Sequence, residues 1–406
     1  MKTIRYLSRI VLGLVFMFSG IVKAVDPLGS AYKFTDYFQA FHLDFLQPLA
    51  LAIAILLCTA EFISGFSVLS GYRLKAGIWG ITLLMLIFTP VTLILAINNP
   101  VSDCGCFGDA IHLTNWQTFG KNVILLVFTA ILFLGRDRSK QLYNPLKEWG
   151  VIGLIIALFA GFSLLNLRYL PLFDFLPYKK GVSIPESMII PAGKPVDEYR
   201  TTFIYEKDGT RREFTLENYP ADDSSWKFID QKSVLIKKGY TPPIHDFSIA
   251  SAEGEDLTGK ILSDKGYTLL MISKKLTEAK RRNLDEGFEL GSHCSSEGIG
   301  FYVITASGAS EAKEFGDRLL FCSADETTLK TIIRSNPGFV LLREGTIISK
   351  WSYANLPSKD LFVRNMTEEQ TLKVDNKSPV LVVYTSVLSV IVLLLLINSH
   401  YRRKMG

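Results

Sequence analysis

The chain carries little net charge: 44 Lys and Arg against 39 Asp and Glu over 406 residues leave +5. That removes the electrostatic case for a nucleic-acid partner. There is no zinc-ligand spacing, no phosphate-cradling glycine-rich loop and no G-x-S-x-G turn. Structural zinc domains, P-loop enzymes and α/β-hydrolases therefore lose their usual signatures. No internal repeat or low-complexity stretch stands out. Cysteine is scarce, with five in all, and two of the five stand one residue apart, at Cys104 and Cys106.

What is abundant is apolar sequence. Hydrophobic residues make up 48% of the chain and are clumped rather than spread. Six runs are long enough to span a bilayer: 5–23, 49–70, 76–97, 121–135, 150–167 and 379–397. The fourth is short and borrows from 116–120, which places Trp116 at headgroup level. Basic residues cluster at Lys2, Arg5 and Arg9, at Arg73 and Lys75, at Arg136, Arg138, Lys140 and Lys147, and at Arg402, Arg403 and Lys404. If every span crosses, all four clusters fall on one side, which the positive-inside rule makes the cytoplasm. Both termini are then cytoplasmic. The cysteine loop (98–119) and residues 168–378 are then extracytoplasmic, or periplasmic for a bacterial inner membrane. The first span has a basic start and a small residue at Ala24, as a secretory signal does. The charge count works only if that span is retained.

The expected organisation is a membrane bundle over 1–140, a fifth transmembrane helix in 141–167 and a small β-rich adaptor over 168–242. An α/β domain over 243–378 follows, then an anchor and basic tail over 379–406. The fold class is thus a membrane all-α bundle, with six transmembrane helices in total, plus a soluble α/β domain. Asp208-Gly209 between Thr202–Tyr205 and Arg212–Thr215 predicts a β-hairpin in the adaptor. Tethering at both ends raises the soluble domain's effective concentration near the cysteine loop. In 24–48, Tyr32, Phe34, Tyr37, Phe38 and Phe41 alternate with polar residues. The segment reads either as an amphipathic interfacial piece or as a lid on the bundle.

Asp103-Cys104-Gly105-Cys106-Phe107-Gly108 holds the adjacent thiols. Three readings stand for the pair: a redox-active disulfide, a structural staple, and a soft-metal transfer site with His112 as a third ligand. A bridge across one spacer residue is strained, and Gly105 is the residue that best permits it. Asp103 and Asp109 flank the pair and should disfavour thiolate. On the second span, Cys58 and Glu61 share a helix face. Glu61 is either a proton-handling group or one half of a helix–helix hydrogen bond.

Three motifs in order, Phe18-Ser19-Gly20 with Lys23, Glu61 with Gly65, and the Cys104-Gly105-Cys106 loop, resemble the DoxX/MauE group of membrane proteins. The resemblance covers about residues 1–140 and implies a four-helix core with the cysteine pair on the outer face. MauE is linked to maturation of a disulfide-rich periplasmic enzyme in methylamine utilisation, and DoxX to quinone-linked electron transfer. Residues 243–360 resemble a thioredoxin fold of the TlpA/peroxiredoxin type. His245-Asp246-Phe247-Ser248-Ile249 opens it, Tyr267–Ser273 is its central strand, and Asn336-Pro337 is its proline loop, with Pro337 the candidate cis-proline. Where redox-active members carry C-x-x-C, this chain has Ser273-Lys274-Lys275-Leu276-Thr277. No thiol can be activated there by a helix dipole.

Cys294 and Cys322 remain, either as a disulfide, as two free buried thiols, or as a functional pair, and His293 could lower the Cys294 pKa. The expected function is extracytoplasmic thiol–disulfide exchange or redox-linked maturation of envelope proteins through Cys104 and Cys106. The thioredoxin-like domain would bind an extracytoplasmic client. The alternative is a membrane-anchored assembly protein with a structural cysteine pair. Beyond the bilayer and the client no partner is indicated, and no metal or cofactor is required. A membrane quinone is a candidate electron acceptor.

Overall fold

The computed structural model describes residues 2–101, 104–136, 144–220, 223–315, 321–366 and 378–405. Residues 1–181 with 248–406 form one compact unit, and 182–247 a second. The first half of the larger unit is helical: α1 (Lys2–Val25), α2 (Pro27–Ala40), α3 (Ala50–Ser70), α4 (Leu74–Asn98), α5 (Asn115–Leu134) and α6 (Pro145–Tyr169). With the C-terminal helix there are six helices long and apolar enough to cross a membrane, matching the six runs expected from sequence. The protein is a multi-pass membrane protein whose outward side chains meet lipid.

Helices α1, α3, α4 and α5 form a four-helix core. Glycine sets its closest approach. A Cβ on Gly65 would lie 2.7 Å from the Met17 nitrogen and 2.8 Å from the Gly13 oxygen, and one on Gly20 would lie 2.7 Å from the Cys58 oxygen. The backbones of α1 and α3 therefore touch, the small-residue contact that apolar lipid cannot replace. Helix α6 packs outside this pair through aromatic rings, with Phe62 and Phe159 stacked 4.1 Å apart. One end of the bundle collects arginines. Arg73 lies over Trp149 at 4.3 Å and Arg136 over Phe133 at 4.0 Å. Arg138 and Lys140 of the same expected cluster lie outside the described residues. The cysteine loop sits at the other end, between α4 and α5.

The smaller unit holds α7 (Ile184–Met188) and an antiparallel sheet of β1 (Glu198–Lys207), β2 (Thr210–Thr215) and β3 (Lys227–Lys237), in the order β2-β1-β3. Asp208 and Gly209 both have positive φ, the geometry of the tight hairpin turn their sequence predicts.

The rest of the larger unit is a thioredoxin-like α/β domain. Its elements are β4 (Ala250–Ser251), α8 (Thr258–Leu262), β5 (Tyr267–Ser273), α9 (Arg281–Ser296), β6 (Gly300–Thr305), α10 (Ala309–Lys313), β7 (Phe321–Ser323), α11 (Glu326–Ile332), β8 (Gly338–Arg343) and β9 (Thr346–Ser352). The sheet order is β4-β7-β6-β5-β8-β9. Strand β5 is buried at every position, as a central strand covered on both faces must be. Helix α9 carries the crossover from β5 to its parallel neighbour β6. The Asn336–Pro337 bond between α11 and β8 is cis. The chain then re-enters the membrane as α12 (Pro379–Met405), whose Tyr384 hydroxyl donates to the Leu158 oxygen of α6 at 2.8 Å.

The α1–α3 contact leaves no room for a side chain at position 65. Gly65→Leu should lose about 1–3 kcal/mol of stability. The purified protein in detergent should melt several degrees lower. Gly150→Ala, where nothing lies within 4 Å of the added carbon, should not lower the midpoint.

Candidate functional site

The cysteine loop is fixed at both feet. Asn99 caps α4 in the left-handed region, and Thr114 begins α5 with a capping box. Between them Asn115 Nδ2 donates to Asn99 Oδ1 and to the Val101 oxygen, each at 2.8 Å. Gly105 and Gly108 both have positive φ, which lets the loop turn back so that the Gly108 N–H donates to the Gly105 oxygen at 3.0 Å. The Cys104 and Cys106 sulfurs lie 3.3 Å apart as free thiols. Their main-chain oxygens are both tied down. The Tyr37 hydroxyl of α2 donates to the Cys104 oxygen. The Ser19 hydroxyl of α1 lies 2.9 Å from the Cys106 oxygen.

Beneath the loop is a buried ion pair. Lys23 Nζ lies 2.6 Å from Glu61 Oε1, and both side chains are nearly inaccessible to solvent. Ser19 completes the group: its hydroxyl accepts from Lys23 at 3.1 Å and lies 2.9 Å from Glu61 Oε2. Its single proton is thus shared between the Glu61 carboxylate and the Cys106 carbonyl. Sequence reading placed Glu61 on the Cys58 face but did not pair it with Lys23. In the structure Cys58 turns instead to Ser163 of α6, 3.8 Å away.

The electrostatics of the pair differ from the sequence expectation. Asp109 was expected to disfavour thiolate, but its carboxylate is taken up by Arg334 at 2.9 Å. Asp103 lies outside the described residues. The Cys106 thiol is held below the usual thiol range by the hydrogen bond from Cys104, and the Lys121 and Lys23 ammonium groups act in the same direction. Cys104 is pushed far up by the same hydrogen bond and by burial. The two sulfurs thus share one easily lost proton, with the charge resting on Cys106. Lys121 is held near the loop by the Phe107 ring, 4.4 Å away.

Both cysteines line a cavity of about 230 Å³. Its walls are mostly apolar, with Phe34, Tyr37 and Phe38 from α2 and Ile87, Phe88 and Val91 from α4. Segment 24–48, read from sequence as interfacial or as a lid, forms α2 and a wall of this cavity. Its Ala31 and Phe38 pack against Ala50 and Ala54 of α3.

The thioredoxin-like domain covers the loop with its degenerate site. Lys274, at the C-x-x-C position, donates to the Tyr32 hydroxyl of α2. Burial, then Arg334 and Lys330, bring the Lys274 ammonium down to about 8. Arg334, three residues before the cis-proline, puts Nε 2.8 Å from Asp26 and Nη2 2.9 Å from Asp109. Lys274, Lys330 and Arg334 all lie within 5.3 Å of the Tyr32 ring centroid. Asn336 turns inward: Oδ1 accepts from Ser273 at 2.7 Å and Nδ2 donates to the Lys275 oxygen at 3.0 Å. Pro337 is buried. The cis-proline loop, expected to meet a client, is flanked by residues that grip the chain's own membrane part.

The remaining candidates separate. Cys294 and Cys322 are not bridged, because the sheet lies between them. Cys294 packs with Phe301 and Val303 on the α9 face, whereas Cys322 pairs with Ile304 and so points to the opposite face. Burial pushes both thiols up, to about 12 and about 11. His293 does not activate Cys294; its Nε2 lies 3.2 Å from the Phe362 oxygen. His112 is exposed, and among the described residues no three His, Cys, Asp or Glu side chains group to hold a metal ion.

Residues 1–135, which contain the whole Lys23–Glu61–cysteine-loop arrangement, match the family of methylamine utilisation protein MauE. The membrane part is MauE-like. Residues 199–238 match a domain of unknown function, DUF8463. Protein TlpB of Flavobacterium psychrophilum is 28% identical over 160 residues, 38% of this chain and 43% of TlpB. The chain thus aligns with less than half the length of that relative. No solved structure matches. The protein is a MauE-like membrane bundle with a thioredoxin-like extension.

Three outcomes follow from this arrangement. Alkylation of Cys106 in a Cys104→Ala background should titrate above the wild-type midpoint, because the hydrogen bond that lowers it is removed. Lys121→Met should also move the wild-type midpoint upward, by losing a nearby positive charge. Rates of maleimide labelling against pH, read by mass spectrometry, measure both. Arg334→Ala leaves Asp26 and Asp109 without their cation, at a cost of about 3–5 kcal/mol to the docked arrangement. Amide exchange in α2 and the cysteine loop should rise at least roughly tenfold, and Arg334→Lys, which cannot bridge two carboxylates in the same way, should restore little.

Proposed function

We propose that the protein is a membrane thiol–disulfide oxidoreductase working through Cys104 and Cys106. The observation that carries the reading is the placement of two thiols 3.3 Å apart at an apolar cavity above the Lys23–Glu61 pair. A client thiolate attacks the Cys104 sulfur of the oxidised pair and expels Cys106, the better leaving group because its thiolate is stabilised. The second client thiol then resolves the mixed disulfide. The client gains a disulfide and the pair becomes a dithiol. Phe34, Phe38 and Phe88 of the apolar cavity would hold a lipid-soluble quinone, which would supply the acceptor for the two electrons and two protons of the dithiol. Glu61, reached from the loop through Ser19, handles a proton in that return step.

In this reading the chain lies in a bacterial inner membrane with both termini cytoplasmic and residues 168–378 periplasmic. The arginines at the opposite end of the bundle from the cysteine loop support that orientation. The thioredoxin-like domain supplies the client surface from a face other than the one given to α2 and the loop. A second reading, a non-enzymatic assembly protein with a structural cysteine pair, is favoured by the pinning of both cysteine carbonyls.

Trapping separates the two. Cells carrying Cys106→Ala should accumulate a mixed disulfide between Cys104 and a client, and Cys104→Ala should not. No adduct in either strain, with client disulfides unchanged, would sink the redox reading and leave the structural one.

A further inference from the structure

The sheet of the smaller unit has a long open edge. The order β2-β1-β3 leaves β3 paired on one side only among the described residues, and all 11 of its residues are exposed. What holds the three strands together lies on one face. Tyr205 is 5.7 Å from both Phe214 and Phe228, and Phe214 is 5.1 Å from Trp226. Those rings do nothing for the outer edge of β3, whose backbone N–H and C=O groups are a template for a further strand.

The charges on that edge select what the further strand is. From Asp230, opposite Ile204, to Leu235, opposite Tyr199, β3 pairs with β1 without interruption, and a bulge ends the run at Ile204/Tyr205. A lone lysine in such a run would keep other strands away. Lys232 is not alone, because Asp230 stands two positions before it on the same face of the strand. The ion pairs of the sheet join Lys207 to Asp223, Arg211 to Glu206 and Lys237 to Glu198. Asp230 and Lys232 belong to none of them; the Asp230 carboxylate accepts only from the next N–H, that of Gln231, at 2.8 Å.

Two identical strands pair antiparallel about a two-fold axis, so the residue on the axis fixes the register. With Gln231 on the axis, Asp230 of each copy faces Lys232 of the other, and two opposite-charge pairs form. With Asp230 on the axis, aspartate meets aspartate. With Lys232 on the axis, lysine meets lysine. The sequence of β3 thus favours one self-pairing register and penalises the registers beside it.

We propose that the β3 edge pairs with the β3 edge of a second copy of this chain, antiparallel and centred on Gln231, so that two three-stranded sheets become one of six strands. The paired stretch is short, and confinement of both copies to one membrane supplies the effective concentration it needs. This inference stands apart from the redox reading and does not need the cysteines.

The test uses the full chain in native membranes. A Cys104→Ser/Cys106→Ser background leaves only the buried thiols Cys58, Cys294 and Cys322. In it, Gln231→Cys should link two copies on mild oxidation with copper phenanthroline, because facing Cα atoms lie about 5 Å apart, within disulfide reach. Ser233→Cys, about 13 Å from its own counterpart in this register, should link at least roughly fivefold less. Asp230→Lys or Lys232→Asp, added to Gln231→Cys, brings like charges together in both pairs and should cut the link roughly tenfold. The two reversed chains expressed together should regain it, since every lysine then faces an aspartate; chains that had merely misfolded would not rescue each other. No link at 231, equal links at 231 and 233, or charge reversals that have no effect or no mutual rescue overturn the proposal. A Gln231→Cys adduct with a different protein in place of the dimer overturns the second copy and assigns the edge to a client strand.

Discussion

The buried pair of Lys23 and Glu61 is the interaction on which the membrane part depends. Two charges out of water are tolerated only when each has the other and further hydrogen bonds complete the set. Ser19 supplies those bonds, and by reaching the Cys106 oxygen it ties the cysteine loop to the same network. The pair in turn depends on the close α1–α3 contact. A carboxylate on one helix and an ammonium on the other meet at 2.6 Å because glycines at 20 and 65 let the backbones approach. Loss of either charge would leave the other stranded in an apolar surrounding.

The thioredoxin-like domain makes a different use of charge. Where its redox-active counterparts place a thiol, it places Lys274, and beside the proline loop it places Arg334. Both are directed at α2 and the cysteine loop. The surface that in the parent fold meets a substrate has become an internal interface, and Tyr32 with three cations around it is its centre. Lys274, at the C-x-x-C position, thus has a definite partner in Tyr32 of the membrane part.

Much of the architecture was legible because it rests on local periodicity. Six apolar runs of spanning length, the Asp208-Gly209 turn and the all-apolar Tyr267–Ser273 stretch each name their element from a few neighbouring residues. The site was legible only in part. The cysteine pair announces itself by spacing, and Lys23 and Glu61 were each visible as motif residues. Their pairing was not, since 38 residues separate them and only the packing of two helices brings them together. The Arg334 bridge to Asp26 crosses 308 positions and no sequence pattern marks it. The choice among the three readings of Cys294 and Cys322 was hidden for a related reason. Counting cysteines says nothing of which face of a sheet each occupies.

The anchored carbonyls of Cys104 and Cys106 bear on how the loop can move. For the sulfurs to close from 3.3 Å to bonding distance, about 2.05 Å, something between two fixed points must yield. The cysteine side chains can swing about χ1, and the Gly105 peptide between them can rock. Its oxygen accepts from the Gly108 N–H at 3.0 Å, so that tight turn moves with it. Closure then becomes a short rocking of the Gly105–Gly108 turn between the two anchored carbonyls. Under the proposed redox reading, a site built this way would change oxidation state with little reorganisation of its surroundings, and its two states would look alike to anything that reads only the protein's outer surface.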